Sequence, residues 1–310
     1  RKHTALGRFK HEAATIRIAD DGRAVAYLGD DERFDYLYKF ISKERFKGGS
    51  SSKAKKHNME LLTEGDLYVA RFDGTPSPEY DGTGVWIPMV QDGVSLVPGM
   101  SVAEVLIFTR LAADKLSPTK MDRPEDVQPS PVTGKVYMAC TNNTNRTAAQ
   151  IDAANPRASN KSGHVIEISE TRNDAAALTF AWSLVLVCGN PDDPSTYFSG
   201  YDRTKVSPIS CPDNVAFDKD GNLWISTDGQ PDSIGLNDAL HAVPISGSER
   251  GHVQQFLAVP TGAETCGPVI TDDGRTVLVA VQHPGDVVGP RRRSRSPRSP
   301  TTVSASRDRP

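Results

Sequence analysis

A short unit recurs along this chain: a turn carrying glycine, then a brief apolar run that ends in small or polar residues. It reads Asp21-Gly22-Arg23-Ala24-Val25-Ala26-Tyr27 at its first appearance and Gly65-Asp66-Leu67-Tyr68-Val69-Ala70 at its second. It returns as Gly134-Lys135-Val136-Tyr137-Met138-Ala139, as Asp220-Gly221-Asn222-Leu223-Trp224-Ile225-Ser226 and as Asp273-Gly274-Arg275-Thr276-Val277-Leu278-Val279. Glycine supplies the positive φ of a tight hairpin, and β-branched or aromatic residues supply the strand that follows. A second apolar run often precedes the turn, as in Asn214-Val215-Ala216-Phe217-Asp218. The units are spaced unequally, about 40 to 90 residues apart, as expected of propeller blades that carry loop insertions. The expectation is an all-β chain folded as a β-propeller.

The remaining bulk features narrow the function. A chain of 310 residues buries a full core. Its net charge of −3 creates no global field for nucleic acid. No stretch approaches the roughly 20 apolar residues that span a bilayer as a helix. No signal peptide is visible from Arg1 onward, so the sequence does not itself show the compartment. The four cysteines, Cys140, Cys188, Cys211 and Cys266, lack the CxxC spacing of a zinc-thiolate site. Free buried thiols are favoured over disulfides. Residues 48–57 are rich in Gly, Ser and Lys and read as an exposed loop. From residue 290 the chain turns to Arg, Ser and Pro and reads as a basic disordered tail, leaving 1–289 as the folded unit.

Acids and amides cluster beside the turns and strand ends: His11-Glu12, Arg123-Pro124-Glu125-Asp126, Pro212-Asp213-Asn214, Thr227-Asp228-Gly229 and Gly262-Ala263-Glu264. Each has an ordinary reading. Glu12 suits a surface acid, Asp213-Asn214 an Asx turn, and Arg123 with Glu125 a surface pair. Their recurrence at matching points of several blades points elsewhere. Blade-end loops converge on one mouth of a propeller channel, where gathered carboxylates can surround hard cations.

The segments Leu6-Gly7-Arg8-Phe9-Lys10-His11-Glu12 and Tyr27-Leu28-Gly29-Asp30-Asp31-Glu32-Arg33-Phe34-Asp35-Tyr36 resemble the PhoX family of alkaline phosphatases. So do Met121-Asp122-Arg123-Pro124-Glu125-Asp126, Thr141-Asn142-Asn143, Ser210-Cys211-Pro212-Asp213-Asn214, Trp224-Ile225-Ser226-Thr227-Asp228-Gly229, Gly262-Ala263-Glu264 and Val281-Gln282-His283-Pro284-Gly285. The resemblance implies a six-bladed propeller with ferric iron and calcium in its channel, releasing phosphate from phosphate monoesters. By motif, Glu12, Glu125, Asp213, Asp228 and Glu264 are implied metal ligands, and Glu125 and Arg123 the catalytic pair. Arg123 is also the implied phosphate clamp, with Asn142 and Asn143 lining the site. The residue types suit that role: carboxylates offset several cations, iron acts as a Lewis acid, and arginine offers a planar fork to phosphate. The resemblance further implies a monomeric periplasmic or secreted enzyme of phosphate acquisition. Its partner is a small phosphate ester, with no nucleic acid and no membrane insertion.

The family's N-terminal cysteine iron ligand has no counterpart here, so none of the four cysteines is assigned to iron. About four or five blades are expected, a partial propeller, and this chain alone is expected to show little or no phosphatase activity. Cys211 and Cys266 each sit two positions from an implied ligand and are expected close together, with a disulfide left open. A calcium-dependent lactonase propeller is the alternative, since Pro212-Asp213-Asn214-Val215-Ala216-Phe217-Asp218 also resembles that group. A non-catalytic binding propeller is the third reading.

Overall fold

Four of the five glycine units join the first and second strands of an antiparallel meander. Gly22, Gly134, Gly221 and Gly274 sit in these turns with φ of 87°, 73°, 83° and 67°, where a side chain is disfavoured. The computed structural model describes residues 2–76 and 80–285. The basic segment read as a disordered tail lies outside the described residues.

The first meander is β1 (Thr15–Ile18), β2 (Arg23–Gly29), β3 (Leu37–Arg45) and β4 (Gly65–Asp73), with α1 (Ser52–Asn58) between β3 and β4. An insertion follows: β5 (Asp81–Gln91), β6 (Val94–Ser95), α2 (Val102–Ile107) and α3 (Thr109–Asp114). The second meander is β7 (Pro124–Pro129), β8 (Val136–Cys140), β9 (His164–Glu170) and β10 (Thr179–Val187). Strand β5 pairs with both β4 and β10 and so joins the outer edges of the two meanders into one sheet. The short β11 (Tyr197–Phe198) pairs with β10. The third meander is β12 (Pro212–Phe217), β13 (Leu223–Thr227), β14 (Ala239–Val243) and β15 (Gln254–Ala258), with α4 (Gln230–Ile234) after β13. A hairpin of β16 (Glu264–Ile270) and β17 (Val277–Gln282) closes the described residues.

The all-β expectation holds, and the described residues contain three four-stranded meanders and one two-stranded hairpin, a partial propeller as expected. The glycine unit that does not mark such a turn is Gly65. It opens β4, the fourth strand of the first meander, and its φ is not positive. A Cβ there would stand 2.2 Å from Ile41 O and 2.5 Å from the Phe40 ring, so this glycine answers to close packing against β3. Residues 48–57 also differ from expectation. Seven residues form α1, started by Ser51, whose side chain accepts from Ala54 N, and anchored by buried Ala54.

The first two meanders meet over a core of Tyr27, Trp86, Val127, Ile168, Phe180 and Trp182. Inside it lies a fully buried ion pair, Lys39 Nζ to Glu170 Oε1 at 2.9 Å. Its remaining polar atoms are met by Ala175 O, Ala177 O, Tyr27 Oη and Trp86 Nε1, which is what makes such a burial tolerable.

Strands β1, β7, β12 and β16 are the innermost of their meanders. β7 lies beside β1 and β12, and β12 beside β16. Two side chains stitch neighbours together: Asp126 Oδ2 accepts from Val215 N at 2.9 Å, and Asn214 Oδ1 from Gly267 N at 2.7 Å. These inner strands line an open channel of about 670 Å³.

Candidate active site

One local arrangement repeats at the head of the inner strands. Leading into β7 and its first residues the chain runs Arg123-Pro124-Glu125, into β12 Cys211-Pro212-Asp213, and into β16 Gly262-Ala263-Glu264. The first residue of each triplet is left-handed, with φ of 55°, 53° and 76°. The third is an acid aimed by that kink. For Arg123 and Cys211 the conformation is strained, a cost that clusters at functional sites. Proline then fixes the strand's first φ and needs no ladder hydrogen bond.

Backbone pairing aligns further positions. Thr141 N donates to Arg123 O at 3.1 Å, Asp228 N to Cys211 O at 3.1 Å, and Asp31 N to Lys10 O at 3.0 Å. Lys10, Arg123 and Cys211 therefore occupy one position of the repeat; Glu12, Glu125 and Asp213 another; Asp31, Thr141 and Asp228 a third. Gly29, two residues before Asp31, lets this end of β2 approach β7, since a Cβ would stand 1.9 Å from Glu125 O.

The five acids named from sequence converge. Glu125 and Asp213 are buried and stand side by side. Burial first, and the Asp213 carboxyl next, push Glu125 well above the usual carboxylate range. Asp213 is raised as well, by burial and by Asp228, against the opposing pull of its contact with Glu125. Glu264, next to Asp228, is pushed up to about 8 by burial and then by that neighbour. Glu12 lies at the exposed rim; partial desolvation, then Asp213 and Asp31, raise it. Arg123 is the one cation acting on Glu12, Glu125 and Asp213 among their strongest influences. Burial opposes its charge, but Asp31, Glu125 and Asp228 outweigh that and hold it protonated. Its Nε donates to Asp31 Oδ1 at 2.7 Å, and its Nη2 lies 2.8 Å from Glu125 Oε1 without hydrogen-bond alignment.

Carboxylates held together in excess over one guanidinium need protons or cations between them. The orphaned atoms say the same. Oε1 of Glu125, Oε1 of Glu264 and Oδ1 of Asn142 are buried acceptors without a hydrogen-bond donor. Hard cations are bound by such oxygens, so the residues present fit them. Among the described residues, no three His, Cys, Asp or Glu side chains already close around a single point. The donors are gathered without a finished coordination shell.

The other named residues are placed as follows. Asn142 sits at the site, its Nδ2 4.0 Å from Cys211 Sγ. Asn143 is fully buried and holds its loop, its Oδ1 accepting from Asn145 N and its N–H donating to Asn160 O. Cys211 and Cys266 are free thiols, pushed up to about 11 and about 12 chiefly by burial, and both feel the Asp228 charge. Sequence reasoning missed Asp31. The signal lay in Gly29-Asp30-Asp31 ending a second strand as Ser226-Thr227-Asp228 does, legible only once the two hairpins are superposed in register.

A family model described as alkaline phosphatase PhoX matches residues 1–285. The chain belongs to the PhoX family. The solved structure of Pseudomonas fluorescens PhoX in complex with vanadate, a transition state analogue, is 37% identical to it, with a TM-score of 0.79. That match covers 93% of this chain and 51% of the other, so the chain spans about half the length of this PhoX relative. The Pseudomonas aeruginosa periplasmic gluconolactonase PpgL matches at 12% identity and a TM-score of 0.33, over 87% of this chain and 65% of that one, too remote to carry an argument for lactone chemistry. A comparison with curated proteins found no match. Among the described residues no helix is long and apolar enough to cross a membrane.

Proposed function

We propose that this channel end is the site of a metal-dependent phosphomonoesterase. The observation that carries the reading is the gathering of Glu12, Glu125, Asp213 and Asp228 around the Arg123 guanidinium, with Glu264 beside Asp228 and buried carboxylate oxygens lacking donors. Membership of the PhoX family, with a relative solved around vanadate, supports it. These five carboxylates would hold iron and calcium. Bound there, the cations supply Lewis acidity toward phosphoryl oxygens.

The chain's own residues do the rest. Arg123 carries a permanent charge, and its terminal nitrogens face the carboxylate cluster. A planar fork suits two oxygens of a phosphate and the charge that grows during transfer. Arg123 itself has left-handed backbone, with φ of 55°, immediately before β7. Asn142, whose Nδ2 lies 4.0 Å from Cys211 Sγ, would help orient a bound ester. Glu125 beneath Arg123 limits the guanidinium's swing and shares its charge between cation binding and the clamp. The substrate class is a small phosphate monoester, and the setting is periplasmic or secreted phosphate acquisition.

The test is metal analysis with hydrolysis of a chromogenic phosphate monoester by this chain joined to the family's N-terminal cysteine segment and C-terminal continuation, because the chain alone is expected to be nearly inactive. Iron and calcium together, with hydrolysis lost on chelation, support the reading. Calcium alone with lactone hydrolysis would replace it by the lactonase, and no metal by a binding module.

A further inference from the structure

We propose that Asp31 is a positioning residue that sets the orientation of Arg123 toward substrate phosphate; the inference rests on the phosphatase reading above. Three observations converge. First, Asp31 takes the inner edge of the guanidinium: Nε donates to its Oδ1 at 2.7 Å, with both side chains about four-fifths buried. Nη2 faces Glu125, and among the described residues Nη1 makes no hydrogen bond. An arginine held by Nε presents its two terminal nitrogens as a pair, the geometry that receives two oxygens of a phosphate.

Second, Asp31 is itself held. Its N–H donates to Lys10 O at 3.0 Å. Its neighbour Asp30 is fully buried, bonded by Arg110 Nε at 2.8 Å and by Lys10 N at 3.2 Å. The carboxylate therefore comes from a fixed strand end, and fixing the clamp in advance saves the entropy of ordering it on binding. Third, the blade repeat gives Asp31 the position of Asp228, while the second blade has Thr141 there, and Arg123 replaces Lys10 and Cys211 one position over. The first blade thus supplies an acid where its neighbour has none, and the second supplies the arginine that uses it.

The experiment compares wild type, Asp31→Ala, Asp31→Asn, Arg123→Lys and the double variant Asp31→Ala/Arg123→Lys, each loaded with iron and calcium. Metal content is measured, and inorganic phosphate binding is followed by calorimetry. Asp31→Ala should weaken phosphate binding about tenfold with metal content unchanged. Asp31→Asn keeps an acceptor for Nε–H and should restore at least about threefold of that loss. In the Arg123→Lys background, Asp31→Ala should add less than about twofold, since the residue acts through the arginine. Loss of metal in Asp31→Ala, no rescue by asparagine, or effects that multiply in the double variant would overturn the inference. If Arg123→Lys weakens phosphate binding and Asp31→Ala does not, the positioning role alone fails. If wild type binds no phosphate, or Arg123→Lys leaves binding intact, the phosphatase reading fails and takes the inference with it.

Discussion

Arg146→Met tests how the strained clamp is held. Arg146 is buried, with a side-chain exposure of 2%, and its Nε donates to Asp122 Oδ1 at 2.7 Å. Its terminal nitrogens reach Gln150 O at 2.6 Å and Lys120 O at 2.5 Å. Asp122 has no exposed surface and immediately precedes Arg123, so this pair braces the left-handed turn that aims the clamp. In Arg146→Met, Lys120 O keeps Asn155 Nδ2 as a donor, and Asp122 keeps only Asn160 Nδ2 at 2.9 Å. A buried carboxylate stripped of its cation costs about 3–5 kcal/mol, equivalent to roughly 5–8 °C in Tm for a chain of this size. Asp122→Asn in the same background removes the stranded charge and should recover half or more of the loss. The assay is urea or thermal unfolding of wild type, Arg146→Met, Asp122→Asn and the double variant in metal-free buffer. A loss below about 1 kcal/mol for Arg146→Met, or strict additivity in the double variant, would show that the pair does not brace this turn.

Glu125→Gln should abolish tight iron binding and hydrolysis together. In metal-free buffer the variant should be no less stable than wild type, because one of two adjoining buried carboxylates is gone; metal analysis with thermal unfolding reads both. Arg123→Lys should leave metal content intact and lower kcat/KM for a phosphate ester by about tenfold or more, the charge surviving without the fork; unchanged turnover would remove Arg123 from the site. Acid should unfold the protein through His164 and His241, both buried and held down to about 4 by that burial. The unfolded chain takes up these protons near 6.5, so stability is intact above that pH and falls as pH drops from about 6.5 to 4. Each histidine contributes about 3 kcal/mol to that loss. Unfolding measured across pH 7 to 4 should flatten in His164→Gln, and an unchanged acid limb would exclude this cause.

The hairpin turns were legible in the sequence because a tight turn needs positive φ at a fixed offset from an apolar strand, and Gly22, Gly134, Gly221 and Gly274 all meet that need. Gly65 misled because a glycine demanded by packing against Phe40 looks, in one dimension, like a glycine demanded by a turn. The acids were legible as a set, since Glu125 and Asp213 each follow a proline at a strand head. The pairing of residues far apart was not. Asp31 meets Arg123 across 92 positions of sequence, and the stitches from Asp126 to Val215 N and from Asn214 to Gly267 N depend on which inner strands become neighbours. The ordinary reading of Asp213-Asn214 as an Asx turn does not describe this segment: Asp213 faces Glu125, and Asn214 beside it bonds the next strand.

The most direct measurement is hydrolysis of a chromogenic phosphate monoester by this chain joined to the family's N-terminal cysteine segment and C-terminal continuation, since the chain alone is expected to be nearly inactive, before chelation, after chelation, and after restoring iron and calcium singly and together. The account expects hydrolysis to vanish on chelation and to return only when both ions are present, in step with their binding to wild type and their loss from Glu125→Gln. Hydrolysis that survives chelation, or ions bound equally well by Glu125→Gln, would contradict a metal-dependent phosphatase built on these carboxylates.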